Sequence, residues 1–478
     1  MKMKTLGSET LNSLWYDADA REVQLRSIIR DRMSAHAPPT LDDQVVATYF
    51  LALRSWSLEQ AAKEISYHAT SGTKEIPPGS LLEQCTGKAV GIDAFDSTGR
   101  LGLLHMAYPL KMLLQPDGHL TSTDLLHTVA GAIIFDIYEN QDVRLIALQI
   151  PEKVIRSFPG PAHGPQGVRL LTSFGAAEPA FGTILKPTAG ITPETVGTLV
   201  EEAAECPLFL FMKEDENLYP RLDYSPVKER ARRAAAAIGR VQERRSGKGL
   251  IFAPHITGAP HEILESVQAV LEAGATGIML SESFAGGTVR MVREATKRLN
   301  NPPAIYGHNA GIGVKTRGGI WREVIDLLAR LDGIDFRQTA PVRMGTPFIY
   351  PYGDEWLASE QTLTKPLPGI NPVMIARAGG LDQGNIIPNL IDAETRGLSE
   401  SILFLAGSAI NSIKNDQGRP DAKLGAEAMM QALEVHRSGE LRGVSLQEHL
   451  AALMALAEQK KLKALREALA QRYPGIAP

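Results

Sequence analysis

Short apolar runs alternate with amphipathic helical patterns through the middle of this chain. Such runs suit the strands of a parallel sheet that helices cover on both faces. The eight runs, each of three to five residues, are Phe181–Leu185, Leu208–Met212, Leu250–Ala253, Gly277–Leu280, Ala304–Tyr306, Gly333–Phe336, Val373–Ala376 and Ile402–Ala406. Together they span about 230 residues, close to the roughly 250 of a closed eight-stranded barrel. The pattern predicts a (β/α)8 TIM barrel, in which catalytic side chains follow the strand ends.

The sequence on either side of these runs has a different pattern. The first 160 residues mix short strand and helix patterns, including a capped helix at Ser57–Gln60, as in an α+β domain. A Pro/Gly-rich connector at 158–165 follows, and the chain beyond Gly425 has a helical pattern to about Arg472. We predict an N-terminal α+β (ferredoxin-like) domain at 1–160, the TIM barrel at 161–425 and a C-terminal helical extension at 426–478.

Composition and charge favour a small-molecule partner. The 478 residues carry a formal net charge of −4 without long runs of one sign, which argues against nucleic acid or an anionic membrane as the main partner. The two cysteines, Cys85 and Cys206, lie far apart without metal-ligand or redox spacing, as expected of reduced thiols. The chain also lacks a stretch of roughly 18 apolar residues that would span a membrane. We expect a cytoplasmic protein.

Four charged residues follow the second apolar run directly. Lys213, Glu214, Asp215 and Glu216 are therefore expected at the mouth of the barrel. Carboxylates supply the hard oxygen ligands that Mg²⁺ prefers. A lysine is a poor ligand unless CO₂ converts its amine into a carbamate. A solvated charged loop is the alternative interpretation.

Other strand ends carry further candidate groups. Lys186 follows the first run, where it could transfer a proton or neutralise an oxyanion, although a lysine there is often a surface residue. His308 follows the fifth run beside glycines and is either an acid/base or a structural histidine. The pair Gly379-Gly380 and Gly407 follow the seventh and eighth runs, where barrels hold phosphate on open backbone N–H groups at helix N-termini.

These segments together resemble the large subunit of RuBisCO, in order and spacing, from about Thr70 to Glu427. The matching motifs are Gly160-Pro161-Ala162-His163-Gly164-Pro165-Gln166, Gly182-Thr183-Ile184-Leu185-Lys186-Pro187, Phe211-Met212-Lys213-Glu214-Asp215-Glu216-Asn217, His308, and the glycines Gly379, Gly380 and Gly407. The resemblance implies that CO₂ carbamylates Lys213, which then binds Mg²⁺ with Asp215 and Glu216.

The same resemblance implies roles for the remaining motifs. Lys186 corresponds to a catalytic lysine, His308 to the active-site histidine of the fifth strand, and the three glycines to phosphate-binding loops. The segment Thr70–Thr73 is similar to the loop that reaches the active site of the partner subunit. We therefore expect Thr73 to contact substrate and the protein to be at least a homodimer, with its active site at the subunit interface.

Departures from the carboxylases of that family change the functional interpretation. Asn309 stands in place of a phosphate-gripping arginine, although we still expect it to face the substrate. Other catalytic positions also differ: Thr188 replaces a lysine, Gln338 a histidine, Ala378 a serine, His68 a glutamate and Ala132 an asparagine, and the family's loop lysine is missing around Val342–Thr346. Losing one preorganised donor costs about 10²–10³ in rate. The chain is thus identified as a RuBisCO-like protein of the form IV type.

The sequence predicts a Mg²⁺-dependent enzyme that forms a metal-bound enolate from a sugar-derived ketone, a ketose phosphate or an oxo sugar acid. Lys186 or His308 would move the proton, and the outcome is either enolisation with isomerisation or decarboxylation. The altered phosphate contacts predict one phosphate or none on the substrate, with Arg337, Arg343 or Arg377 as substitute cations. The alternatives are a true ribulose-bisphosphate carboxylase and a barrel that binds a metabolite without turnover.

Overall fold

The chain forms two compact units. The structure, a computed structural model, describes residues 8–475 apart from 136, 177 and 343–354, with side chains from residue 21 onwards except at 135. Of these residues, the first unit contains 8–158, 312–328 and 355–359, and the second contains 159–311, 329–342 and 360–475. The sequence-based domain boundaries at 160 and 425 remain predictions.

A four-stranded antiparallel sheet forms the centre of the first unit, with strand order β2-β3-β1-β4. Its strands are β1 (Gln44–Leu53), β2 (Lys88–Ala94), β3 (Leu101–Pro109) and β4 (Asn140–Gln149). The accompanying helices are α1 (Ser8–Ala35), α2 (Leu58–Ser66), α3 (Leu81–Cys85), α4 (Leu110–Leu113), α5 (Ser122–Phe135) and α6 (Glu152–Ile155). The predicted α+β domain is confirmed.

The predicted helix start at Ser57 is also confirmed. The Ser57 hydroxyl accepts a hydrogen bond from the Gln60 backbone N–H (3.3 Å), and the Gln60 side chain accepts one from the Ser57 N–H (2.8 Å). This capping box satisfies two N–H groups that a helix N-terminus otherwise leaves without partners.

Eight parallel strands form the barrel of the second unit. They are β5 (Ala180–Ile184), β6 (Phe209–Lys213), β9 (Ile251–Ala253), β10 (Gly277–Leu280), β11 (Ala304–Gly307), β12 (Phe336–Thr339), β13 (Met374–Ala378) and β14 (Ile402–Ala406). The two-residue strands β7 (Arg221–Leu222) and β8 (Ser225–Pro226) pair with each other outside the barrel sheet. The paired strands run in the order β10-β11-β12-β13-β14-β5-β6-β9, and a parallel bridge between His255 and Met279 closes the ring. The predicted TIM barrel is confirmed.

The sixth barrel strand begins later than the sequence predicts. The apolar run starts at Gly333, whereas the strand is Phe336–Thr339. Gly333 instead ends a helix with φ of +115°, a conformation that favours glycine, and an added Cβ there would lie 2.8 Å from the Gly160 carbonyl oxygen. The strand carries polar residues that find buried partners: Arg337 pairs with Glu282 and Thr339 donates to Glu360.

The remaining α-helices precede, connect or follow the barrel strands along the chain. Those before the C-terminal region are α7 (Gly164–Thr172), α8 (Pro193–Ala204), α9 (Val227–Val241), α10 (Pro260–Glu272), α11 (Thr288–Thr296), α12 (Ile312–Arg317), α13 (Arg322–Asp332), α14 (Glu355–Thr364), α15 (Ile386–Thr395) and α16 (Ser408–Asn411). The predicted C-terminal helices are α17 (Ala422–Ser438), α18 (Leu446–Gln459) and α19 (Lys463–Arg472). Among the residues described, none of the helices combines the length and apolar character needed to cross a bilayer.

Candidate metal centre

Strand alternation points the last residue of β6 into the barrel. Met212 packs with the helix-side core, whereas Phe211 packs inside the barrel against the rings of Tyr306 (5.5 Å between centroids) and Phe336 (4.6 Å). Because successive side chains of a strand face opposite sides, Lys213 points the same way as Phe211. Its Nζ lies 5.3 Å from the centre of the Tyr306 ring, and the side chain is fully buried.

The next residue, Glu214, faces away from the barrel mouth. Its carboxylate accepts two hydrogen bonds from Arg230 of α9 (2.7 and 2.9 Å) and one from the backbone N–H of His255 (2.9 Å). The expectation of four charged side chains at the mouth is therefore wrong for this residue. Its role in the structure is to join the end of β6 to α9 and to the end of β9.

The other predicted groups meet at the mouth of the barrel. Asp215, Glu216 and His308 each place one ligand atom within 4.8 Å of those of the other two. Lys213 Nζ lies 3.2 Å from Asp215 Oδ1 and also donates to the Glu214 carbonyl (3.0 Å). The other carboxylate oxygen of Asp215, Oδ2, forms an ion pair with Lys186.

The cluster shifts the pKa values of its members. Burial lowers the pKa of Lys213 below its usual value, although Asp215 partly opposes this. Burial alone would raise the pKa of Asp215, but Lys213, a hydrogen bond with Glu216 and the Lys186 contact hold it well below its usual value. The hydrogen bond with Asp215, burial and the Asp215 charge raise the pKa of Glu216. Glu216 is thus the carboxyl that retains a proton more readily.

His308 presents one defined nitrogen to the carboxylates. The Ala310 backbone N–H donates to His308 Nδ1 (3.2 Å), so the neutral ring carries its proton on Nε2. Nε2 lies 3.6 Å from Glu216 Oε2 and 3.8 Å from Asp215 Oδ1. Burial, with the Lys213 charge as a second cause, holds the pKa of His308 well below its usual value. The ring is therefore a neutral donor rather than a cation near pH 7.

The donor set fits a hard divalent cation. Two carboxylates supply oxygen ligands, and a carbamate on Lys213 would supply a third in place of an ammonium that cannot ligate. The sequence predicted Lys213, Asp215 and Glu216 as ligands, and the structure also brings His308 close to the two carboxylates. Since the Ala310 N–H occupies Nδ1 and the proton occupies Nε2, His308 fits hydrogen-bond donation better than metal ligation.

The glycines predicted to hold phosphate differ in their settings. Gly379 and Gly380 have φ of +88° and +97°, which favour glycine. Their expected position at a helix N-terminus is wrong, because α15 begins only at Ile386. Gly407 does precede a helix, α16, and a Cβ there would lie 3.6 Å from Lys186 Cε. Gly407 is thus adjacent to the metal-centre cluster.

Two of the suggested substitute cations are engaged in ion pairs. Arg377 is fully buried and binds Glu360 through Nε (2.9 Å) and a terminal nitrogen (3.0 Å), with Asp392 as a further partner. Arg337, also buried, pairs with Glu282 at 2.6 Å. Arg343 and most of the loop segment compared at Val342–Thr346 lie outside the described residues.

The remaining predicted residues have these positions. Asn309 is partly buried beside His308, and the Tyr306 hydroxyl donates to Gln338 Oε1 (3.3 Å). Thr73 belongs to the first unit, where its hydroxyl accepts from the Glu75 N–H (3.3 Å). The other positions that the sequence predicts to differ from the carboxylases are Thr188 after β5, Ala378 at the end of β13, His68 in the short π-helix Tyr67–Ser71 after α2, and Ala132 in α5.

One buried residue near the cluster was missed by the sequence analysis. The Asn411 amide donates to the carbonyls of Ile184 (2.9 Å) and Gly407 (3.0 Å) and to the Thr183 hydroxyl (3.2 Å). It thereby joins the strand ends that carry Lys186 and Gly407. A single asparagine at the end of a short helix gives no sequence signal for this role.

Comparisons with known proteins agree with this architecture. Residues 167–470 match the family described as ribulose bisphosphate carboxylase large chain, catalytic domain. A ribulose bisphosphate carboxylase of Archaeoglobus fulgidus is 28% identical over 447 residues, which cover 88% of this chain and 94% of that protein.

Two further comparisons concern proteins with other names. A 3-oxo-isoapionate-4-phosphate decarboxylase of Rhizobium rhizogenes is 27% identical over 380 residues, covering 74% of this chain and 85% of that protein. The crystal structure of a RuBisCO-like protein from Alicyclobacillus acidocaldarius matches with a TM-score of 0.73 and 26% identity, covering 90% of this chain and all of that one. The chain is therefore similar to carboxylases, to a protein named as a decarboxylase and to a RuBisCO-like protein.

Proposed function

The chain belongs to the ribulose bisphosphate carboxylase large-chain family, and we propose that it is a RuBisCO-like enzyme, not a CO₂-fixing carboxylase. Its reaction would generate an enolate from a sugar-derived ketone or ketose phosphate, either by removing a proton or by decarboxylation. The observation that carries this proposal is the convergence of Asp215, Glu216 and His308 within 4.8 Å, with Lys213 and Lys186 bonded to the same aspartate.

We propose that Asp215, Glu216 and a carbamate on Lys213 hold one Mg²⁺. The ion would act as a Lewis acid on a substrate carbonyl. Lys213 suits carbamylation because burial lowers its pKa and so raises the fraction of neutral amine at a given pH. The amine nitrogen forms a bond to the carbon of CO₂ and releases one proton, leaving an anionic oxygen donor.

Two groups are placed to assist the formation of an enolate. Lys186 lies against Asp215, and its aliphatic end lies beside Gly407. His308 directs an N–H toward the two carboxylates, so it can donate to an oxyanion that develops there. We propose Lys186 as the group that exchanges the carbon-bound proton and the neutral His308 as a hydrogen-bond donor that stabilises the oxyanion and keeps its own proton.

The proposal excludes carboxylation because several groups of the family's carboxylases are replaced. The resemblance implies that Thr188 and Asn309 take the places of cations and that Ala378 takes the place of a hydroxyl donor. Carboxylases are nevertheless among the relatives. Incubation with ribulose bisphosphate, Mg²⁺ and ¹⁴CO₂ tests this exclusion, since acid-stable radioactivity in product would contradict it.

The function is tested by a substrate screen in D₂O with Mg²⁺ and bicarbonate. We would begin with 3-oxo-isoapionate 4-phosphate, the compound in the name of one relative, and extend the screen to other 3-oxo sugar acids and ketose phosphates. Solvent deuterium in product, detected by NMR, supports an enolate, and release of CO₂ identifies decarboxylation. Binding of these compounds without turnover would instead favour a metabolite-binding protein.

We further propose a small-molecule substrate, held by Gly379, Gly380, Gly407 and Asn309, and a homodimer in which Thr73 reaches the partner's site. The homodimer rests on the resemblance of Thr70–Thr73 to the loop between subunits in the family.

A further inference from the structure

The last helix ends against the loop that follows the seventh barrel strand. The Tyr473 hydroxyl, just after α19, lies 2.8 and 2.9 Å from the two carboxylate oxygens of Asp382, and Arg472 Nε lies 3.2 Å from one of them. Asp382 is buried, so these are charge-assisted hydrogen bonds in a site of low water content.

Asp382 in turn organises the loop from Gly380 to Asn385. Its carboxylate accepts hydrogen bonds from the backbone N–H groups of Gly384 (2.8 Å) and Asn385 (3.1 Å), and its own N–H donates to Asn385 Oδ1 (2.9 Å). The Asn385 amide then donates to the Gly380 carbonyl (2.8 Å). A continuous chain of hydrogen bonds therefore leads from Tyr473 to Gly380.

The sequence of the loop accommodates the tyrosine ring. A Cβ at Gly384 would lie 2.6 Å from Tyr473 Cε2, so the ring packs where another side chain would clash. The glycine thus allows the close approach of the ring that places the hydroxyl on Asp382.

The same region is attached to the eighth strand end. Gln383 donates to the Ala409 carbonyl (2.7 Å) in α16, two residues after Gly407. Gln471 of α19 pairs with the backbone of Lys414 through both its amide oxygen (2.8 Å) and its amide nitrogen (2.9 Å). The end of α19 therefore contacts the segments beyond both candidate phosphate-binding loops.

We propose that Tyr473 and Arg472 are positioning residues that hold the Gly379-Gly380 loop in its anion-binding conformation. The C-terminal helices would thereby set the affinity of the enzyme for the phosphate of its substrate. This inference rests on the proposed function, because it assigns an anion to the glycine loop.

The first test measures hydrogen exchange in the full-length protein. The variant Tyr473→Phe keeps the ring over Gly384 and removes only the hydroxyl. We expect amide exchange at Gly384 and Asn385 to be about tenfold faster, since each donates to the carboxylate that Tyr473 holds. The control is Tyr138→Phe, an exposed tyrosine of the first unit, which should leave that exchange unchanged.

The second test measures binding of inorganic phosphate and of Mg²⁺ by calorimetry. Tyr473→Phe should lower the affinity for phosphate about fivefold. The loss is modest because the hydroxyl contacts the loop only through Asp382, so only part of the energy of its charge-assisted hydrogen bond affects the loop. Its Mg²⁺ affinity should stay at the wild-type value, whereas general unfolding would lower both. Arg472→Gln is the second variant if Tyr473→Phe does not fold, with the same expected direction.

The outcomes separate the two proposals. Unchanged exchange at Gly384 and Asn385 overturns the positioning role, and so does faster exchange with unchanged phosphate affinity. If wild-type protein binds no phosphate, the anion assignment of the glycine loop fails, whereas the structural link from Tyr473 to the loop is still decided by exchange.

Discussion

Lys213 lies in surroundings that favour its neutral form while keeping a carboxylate within reach. Burial lowers the pKa of Lys213, and Asp215 Oδ1, 3.2 Å from Nζ, accepts a hydrogen bond from the amine. A neutral amine is the form that reacts with CO₂. The residue is therefore suited to modification by its position at the end of β6, inside the barrel.

Replacing Lys213 should abolish bicarbonate-dependent metal binding. In Lys213→Met no carbamate forms, so Mg²⁺ uptake measured by calorimetry should no longer rise with bicarbonate. Lys228→Met is the control, since Lys228 is an exposed lysine paired with Glu272 on the surface. A Lys213→Met protein that keeps the bicarbonate response would rule out the carbamate.

Replacing Lys186 should distinguish the two possible reactions. Removing a general acid or base costs about 10²–10⁴ in rate. If the enzyme is a decarboxylase, Lys186→Met should lose solvent deuterium exchange and keep CO₂ release, because decarboxylation needs no strong base. If the wild-type enzyme exchanges deuterium without releasing CO₂ and Lys186→Met loses that exchange, measured on the same substrate by NMR and CO₂ trapping, the reaction is instead enolisation by proton removal.

At the scale of elements, the charged residues at the end of β6 face two different sides of the barrel wall. Lys213 points into the barrel, while Glu214 turns outward to Arg230 of α9, and both members of that ion pair are fully buried. A buried pair fixes strand and helix together because neither charge tolerates isolation. Lys213 is thus available for the proposed chemistry, whereas the adjacent Glu214 stabilises the fold.

Breaking this ion pair should destabilise the fold strongly. Arg230→Met leaves the Glu214 charge buried without a counter-ion, which costs about 3–5 kcal/mol in the free energy of unfolding. The surface variant Arg232→Met on the same helix should cost less than about 1 kcal/mol. Urea unfolding compares the two, and the double variant Glu214→Gln/Arg230→Met should recover much of the loss.

Helix α1 is joined to β4 by an ion pair that depends on pH. Glu22 accepts from Arg144 (2.5 and 2.9 Å) and from Arg26 (2.7 Å). Burial opposes ionisation, but these two arginines lower the pKa of Glu22 below its usual value of 4.5. Its stabilising effect is therefore complete above pH 4.5 and disappears as pH falls through the lower folded-state value.

Glu22→Gln should accordingly lower the melting temperature at pH 7 and have little effect at strongly acidic pH. At pH 7 the free energy of unfolding should fall by about 1 kcal/mol, because solvent screens a partly exposed ion pair. Thermal melts of wild type and variant across pH 3 to 7 check this. A difference that grows as pH falls would contradict the assignment.

At the scale of the whole molecule, we expect two chains to associate. Sedimentation should then give a mass of at least twice the 51.8 kDa of one chain, independent of Mg²⁺. Mixing Lys213→Met with a Thr73→Val variant should restore activity, because one site of each mixed dimer would contain both native residues. No restoration would place Thr73 outside the partner's site.

The sequence by itself determined the barrel and the residues at its strand ends. Seven of the eight apolar runs overlap their barrel strands closely, because helix-covered parallel strands need near-continuous apolar residues. The positions of Lys186, Lys213, Asp215, Glu216 and His308 directly after strands then implied that they meet, since the carboxyl ends of parallel strands share one rim.

Only the tertiary structure decided where individual side chains point and which partners they find. Glu214 accepts a hydrogen bond from Arg230 of α9, and β12 begins at Phe336. Asp382 accepts a hydrogen bond from Tyr473, which is 91 residues away in sequence. Each of these outcomes depends on a contact between residues distant in sequence or on a change of backbone direction. Local periodicity carries no record of such contacts, because it reports only which face of an element is buried.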